Sequence, residues 1–255
     1  SMGSGAESPR GAPLFEVLRC VPAQSGLLPA IVAGLDAAQL VESAGRHGLS
    51  AWLADTLAAA RLELPSGPAT RLLADARAQI ARGQRMKRLT VAVVDALAAE
   101  GVSSTLLKGQ GLAQRLYPEQ PLARPSTDVD VLVHPHELEQ ARRAMGALGL
   151  VEQRDESLAD VFEEHHHLSF ARQGALVEVH FRLFSGFGGR TFDEAGLRAR
   201  LVEGSFEGRA VRWLGPGDEF VYLATHAANH GFLRASWLLD LKRYLAISEG
   251  LDWPT

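Results

Sequence analysis

Asp128 and Asp130 flank a single valine in Arg124-Pro-Ser-Thr-Asp128-Val-Asp130-Val-Leu-Val133. From Asp128 to Val133 polar and apolar residues alternate at first, which is the period of a half-buried strand. Successive strand side chains point to opposite faces, so the two carboxylates share one face, about 7 Å apart along the backbone. Carboxylates side by side repel, and a cation relieves the repulsion. Oxygen ligands of this kind suit Mg²⁺ or Mn²⁺. A solvated edge strand bearing two surface acids accounts for the same residues.

Two further segments could serve that chemistry. Upstream, an apolar run ends in Lys108-Gly109-Gln-Gly111, and Leu112 to Tyr117 read as a helix. Strand, glycine turn and helix start make a phosphate seat, because glycine lets backbone N–H groups approach an anion and the helix N-terminus adds partial positive charge. The spacing is neither that of a P-loop nor that of a dinucleotide fingerprint, and an ordinary tight turn fits it too. Downstream, Glu178, His180 and Arg182 alternate with apolar residues in Gly174-Ala-Leu-Val-Glu178-Val-His180-Phe-Arg182. On a strand all three share a face. Glu178 is then either a third carboxylate for the Asp128–Asp130 pair or part of a wet strand face. Arg124, in the loop before the acidic strand, is a phosphate contact or a surface arginine.

The chain has nine histidines. His165 and His167 share a face if the strand begins there. His226 and His230 are four apart on an expected helix, a spacing that can bind metal, but no Cys pair and no His-Glu-x-x-His accompanies them. They read as packing or substrate-binding residues. His134-Pro-His136 reads as a surface turn.

In order, Lys108-Gly109, Tyr117-Pro118, Arg124-x-x-x-Asp128-x-Asp130, His165-His166 and Glu178-x-His180 resemble the bacterial "uncharacterised nucleotidyltransferase" family of the DNA polymerase β-like superfamily. The resemblance spans roughly Val91 to Tyr244 and takes in Trp237 and Asp240-Leu241. The superfamily usually carries Gly-Gly or Gly-Ser at the first turn, where this chain has Lys108-Gly109. The resemblance implies transfer of a nucleoside monophosphate from an NTP. It gives Asp128, Asp130 and Glu178 the Mg²⁺ or Mn²⁺, and Lys108, Gly109 and Arg124 the triphosphate. His165, His166 and His180 then touch phosphates or orient Glu178. Other readings are a metal-dependent phosphohydrolase pairing the histidines with Asp240, and a degenerate protein that binds NTP or a partner without turnover.

The elements that must position these residues follow from composition and punctuation. The chain has 255 residues, 46% of them apolar and 22% charged, and a net charge of −4. That is an ordinary globular balance without the basic excess of a nucleic-acid surface. The acceptor expected is a hydroxyl of a small molecule, peptide or protein, not a long nucleic acid. The single cysteine, Cys20, forms no disulfide within the chain and fits a reducing, cytoplasmic setting. No uninterrupted apolar run is long enough for a membrane span.

The fold class expected is α+β, a small mixed-sheet nucleotidyltransferase core between helical parts. Residues 1–11 read as a tag scar and disordered start. Residues 12–100 read as helices, with Gly48 as a C-cap, Ser50 as a cap, a break at Leu64 to Pro68, and one or two helices up to about Glu100. Residues 101–185 read as the core. Its strands are placed at 102–107, 128–133, 166–171 and 176–182, and its helices at 109–117 and 135–148. Ser185 to Gly189 read as a joint. Residues 186–255 read as a hairpin (201–206, 209–214) and helices at 216–231 and 235–248. The last residues, from Asp252, look like the start of a further helix, so the natural protein is expected to continue.

Overall fold

Alanine and leucine at helical spacing fill the first part of the chain, and the computed structural model, which describes residues 13–21, 25–153, 165–184 and 193–247, turns them into five helices. These are α1 (Pro13–Cys20), α2 (Leu28–Ala33), α3 (Ala37–His47), α4 (Ser50–Ala59) and α5 (Ser66–Ala99). The Asp36 side chain caps α3 by accepting from the Gln39 N–H, and Gly48 ends it in the left-handed region at φ 70°. Ser50 is the first residue of α4 and makes no cap bond; Leu49 takes the cap position. α5 is one continuous helix of 34 residues. Gly83 sits in its middle for packing, because a Cβ there would stand 3.1 Å from the Leu122 carbonyl oxygen.

The rest of the chain builds a sheet and its cover. In order come β1 (Thr105–Leu106), α6 (Gly109–Leu116), a 3₁₀ turn (Pro121–Ala123), β2 (Val129–Leu132), a second 3₁₀ turn (Pro135–Glu137) and α7 (Leu138–Ala147). Then follow β3 (Val151–Glu152), β4 (His167–Arg172), β5 (Ala175–His180), α8 (Glu194–Ala199), β6 (Val202–Phe206), β7 (Arg209–Trp213), α9 (Pro216–Asn229) and α10 (Ala235–Ile247). The architecture is α+β. Among the described residues, seven strands form one mixed sheet in the order β3-β4-β5-β2-β1-β7-β6.

The acidic strand, β2, is neither half-buried nor an edge. It lies between β5, to which it is parallel, and β1, to which it is antiparallel, and all four of its residues are buried. Val129 and Val131 of β2, Val177 and Val179 of β5, and Leu168 and Phe170 of β4 pack on one face against Val93 and Leu97 of α5 and Ala141 and Met145 of α7. Asp130, Glu178, His180 and His167 take the opposite face by alternation. Burying ions costs several kcal/mol each. Each Val, Leu, Phe or Met buried on the far face contributes about 1.5–3 kcal/mol, which offsets that cost. On the polar side, Leu107 and Leu132 join a second core with Leu112 and Leu116 of α6, Tyr222 of α9 and Leu239 of α10.

The β6–β7 hairpin joins the same sheet, since Thr105 of β1 pairs in parallel with Arg212 of β7. β3 and α8 carry too few residues for periodicity to announce them. Residues 1–11, the joint at Ser185 to Gly189 and the segment from Asp252 lie outside the described residues.

Candidate functional site

The site forms where the β1–α6 turn meets the polar ends of β2 and β5. Lys108 is the last residue before α6, and Gly109 follows at φ 65°, a conformation that glycine adopts without strain. A Cβ at Gly109 would also stand 3.2 Å from Ser126 Oγ, so the turn lies tight against the loop before β2.

Asp130 and Glu178 are register partners on parallel strands. His180 Nε2 lies between them, 3.2 Å from Asp130 Oδ1 and 3.5 Å from Glu178 Oε2. Lys108 Nζ lies 3.1 Å from Asp130 Oδ1 and 3.8 Å from Asp128 Oδ2. The structure thus brings Asp128, Asp130, Glu178, His180 and Lys108 together. Asp130 is fully buried, whereas Asp128 and Glu178 remain 24% and 22% exposed and reach a cavity of about 750 Å³. One donor atom each from Asp130, Glu178 and His180 lies within 4.8 Å of the others. Asp130 Oδ2 is buried and has no hydrogen-bond partner.

The charges respond to this crowding. Burial and the neighbouring Asp130 push Asp128 up to about 6, and Lys108 offsets only part of that. Burial also pushes on Asp130, but Lys108 and the His180 hydrogen bond outweigh it and hold the carboxyl well below the usual range. The hydrogen bond from His180 lowers Glu178 against burial and the Asp130 charge. Burial favours the neutral amine of Lys108, yet Asp130, Asp128 and Glu178 raise its pKa above the ordinary value.

Arg124 lines the cavity, but its guanidinium is engaged by the protein itself and is not a surface arginine. Nε donates to both Asp240 oxygens at 3.1 Å, Nη2 donates to Asp240 Oδ2 at 2.9 Å, and Nη1 donates to the carbonyls of Gly109 (3.0 Å) and Pro125 (3.2 Å). Tyr117 Oη donates to Asp240 Oδ1 at 2.8 Å. The loop arginine is drawn inward because Asp240, 116 residues away, supplies a buried anion. Burial opposes the Arg124 charge, and Asp240 restores it.

Among the histidines, His166 and His167 line the cavity, and His165 is not among its walls. β4 starts at His167, whose strand phase turns it to the polar face, with its Nε2 3.7 Å from Glu178 Oε1. Across the cavity, His226 and His230 group with Trp237, with ring centroids 4.8 to 5.5 Å apart. Burial and the Lys108 charge lower His226 to about 4. His47, Gln79 and Arg82 from the helical part complete the wall. Sequence reading missed these wall residues, because helical periodicity marks a buried face without saying what it faces.

Carboxylates grouped beside a glycine turn at a helix start suit a phosphate ester held through a cation. The chain belongs to the uncharacterised nucleotidyltransferase family, whose sequence profile matches residues 33–255. No curated protein and no solved structure matches the chain. Among the described residues no helix is long and apolar enough to cross a membrane.

Proposed function

We propose that the protein moves a nucleoside monophosphate from an NTP to a hydroxyl of a small molecule, peptide or protein, with Mg²⁺ or Mn²⁺. The observation that carries this reading is the Asp130–Glu178 register with Asp128 beside it, at the mouth of the Gly109 turn. The donors fit a divalent ion: the Asp130 Oδ2 atom is buried without a partner, and Asp130, Glu178 and His180 offer atoms within 4.8 Å of one another. Asp128, Asp130 and Glu178 hold the ion in this scheme. When bound, it supplies positive charge to phosphate oxygens and lowers the barrier to in-line displacement.

The chain's own groups do the rest. The acceptor hydroxyl attacks the α-phosphorus, the bond to the β-phosphate oxygen breaks, and pyrophosphate leaves. Glu178, kept ionised by its hydrogen bond from His180, takes the hydroxyl proton. Lys108 neutralises Asp130 and Asp128, and with an ion held by these carboxylates it would be the cation available to the triphosphate. Gly109 lets the backbone approach the phosphates, and the Asp240–Arg124 pair fixes that turn from behind. A phosphohydrolase that pairs the histidines with Asp240 has no support here, since Asp240 is held by Arg124 and Tyr117. A cytoplasmic setting fits the buried free thiol of Cys20.

Calorimetry with ATP, GTP, CTP and UTP, with and without Mg²⁺, tests the reading, followed by mass spectrometry of products from NTP and candidate hydroxyl acceptors. Metal-dependent binding of at least one NTP and an acceptor heavier by one nucleoside monophosphate are expected. A folded protein that binds no NTP under any metal condition overturns the proposal.

A further inference from the structure

The cavity holds a second group of donors, of which nucleotidyl transfer uses only His180. His167 and His180 are register partners on β4 and β5, so their rings stand side by side on the polar face. The His166 ring lies 4.4 Å from that of His167 and 5.4 Å from that of His180, and the last two are 5.1 Å apart. One ring nitrogen from each of the three lies within 4.8 Å of the others. His166 Nε2 and His167 Nδ1 are 3.2 Å apart. Two nitrogens bound tetrahedrally to Zn²⁺ at about 2.0–2.1 Å stand about 3.4 Å apart. The pair therefore already has nearly the spacing of one edge of such a site.

His180 is prepared for a third bond. Its Nε2 faces the Asp130 and Glu178 carboxylates, and its Nδ1 is buried with no hydrogen-bond partner. A carboxylate that holds one imidazole nitrogen fixes the tautomer and leaves the lone pair of the other nitrogen for a metal. The three rings line the cavity, so a fourth position opens to water or to a phosphate oxygen. Imidazole sets of this kind favour Zn²⁺ and similar ions, whereas carboxylate oxygens favour Mg²⁺.

We propose that His166, His167 and a ring nitrogen of His180, which lie within 4.8 Å of one another, form a site for a borderline divalent transition metal of the Zn²⁺ type, distinct from the oxygen-ligated position at Asp128, Asp130 and Glu178. His180 belongs to both environments. Filling the imidazole site fixes the ring that in turn orients Asp130 and Glu178. This inference does not depend on nucleotidyl transfer, since it concerns only which ion the histidines hold.

The test uses the whole protein, stripped by a chelator and titrated with Co²⁺, whose visible absorption reports tetrahedral nitrogen ligation. Stoichiometric binding is expected, with Zn²⁺ displacing the Co²⁺ and excess Mg²⁺ failing to do so. His166→Gln and His167→Gln should each weaken binding by about 100-fold or more. Asp128→Asn should leave Co²⁺ affinity within about twofold while weakening Mg²⁺–nucleotide binding by about 10–100-fold. Circular dichroism confirms that each variant is folded. Absence of the Co²⁺ band in folded wild-type protein overturns the proposal, as does binding that survives both histidine variants. Equal loss in Asp128→Asn would merge the histidines with the carboxylate position and overturn the separate site.

Discussion

Arg124 and Asp240 form a buried ion pair that ties α10 to the Gly109 turn, with the Arg124 Nη2 atom 2.9 Å from Asp240 Oδ2. Removing one partner of such a pair strands a charge out of water. Asp240→Ala is expected to cost about 3–5 kcal/mol of stability, read as a shift in the urea midpoint. Tyr117→Phe, which deletes a single hydrogen bond to the same carboxylate, should cost about 1.5–3 kcal/mol. Replacing both ions with apolar residues (Arg124→Met with Asp240→Leu) should recover much of the loss. A midpoint unchanged in Asp240→Ala would mean that Arg124 finds other support.

Asp130→Asn is expected to reduce turnover by about 100-fold or more while the protein stays folded. The substitution keeps the shape of the side chain but removes the charge that faces Lys108 and His180. Pyrophosphate release under saturating NTP is the readout. Full activity in the folded variant would sink the role given to this carboxylate.

Asp128 sets a pH dependence. Its folded-state pKa of about 6 stands above the ordinary 3.8. Between those values the folded state keeps a proton that the unfolded chain has lost, so this group's contribution to stability falls as pH rises through the window. Divalent ions need the ionised form. Mn²⁺ affinity should therefore weaken below pH 6 by up to about tenfold per pH unit, until the fully protonated limit. Titrations from pH 5 to 7.5 check this against Asp128→Asn, in which the dependence should flatten.

His226 works in the other direction. Burial and Lys108 lower its folded pKa to about 4 from 6.5. Between those values the unfolded chain binds a proton that the folded state refuses, so stability falls as pH drops from 6.5 toward 4. His166 is lowered to about 4 as well, chiefly by burial, and adds to the same slope. Thermal unfolding across this range should show a shallower acid decline in His226→Gln. An identical slope would show that His226 titrates normally.

Part of the candidate-site arrangement is legible in the chain, because strand alternation puts Glu178 and His180 on one face of β5. Alternation identifies a face and not a neighbour, so the parallel Asp130–Glu178 register is not readable from the residues themselves. The burial of Arg124, read from the chain as a phosphate contact or a surface arginine, is hidden for the same reason: its partner lies far along the chain. His167 escapes emphasis because one residue of uncertainty in where β4 begins moves a side chain to the other face. The hairpin is legible as two strands, while its place in the sheet depends on two residues of β1, too few to leave a pattern.

That placement has a consequence during synthesis. β1 lies inside the finished sheet, but its partner on one side, β7, is made about a hundred residues later. A nascent chain that ends before Arg209 would expose Thr105 and Leu106 as an unpaired edge beside a strand of buried valines. Such edges recruit other chains. The 255-residue chain should therefore refold cleanly under conditions in which a fragment ending at residue 185 aggregates, because the late hairpin covers the β1 edge.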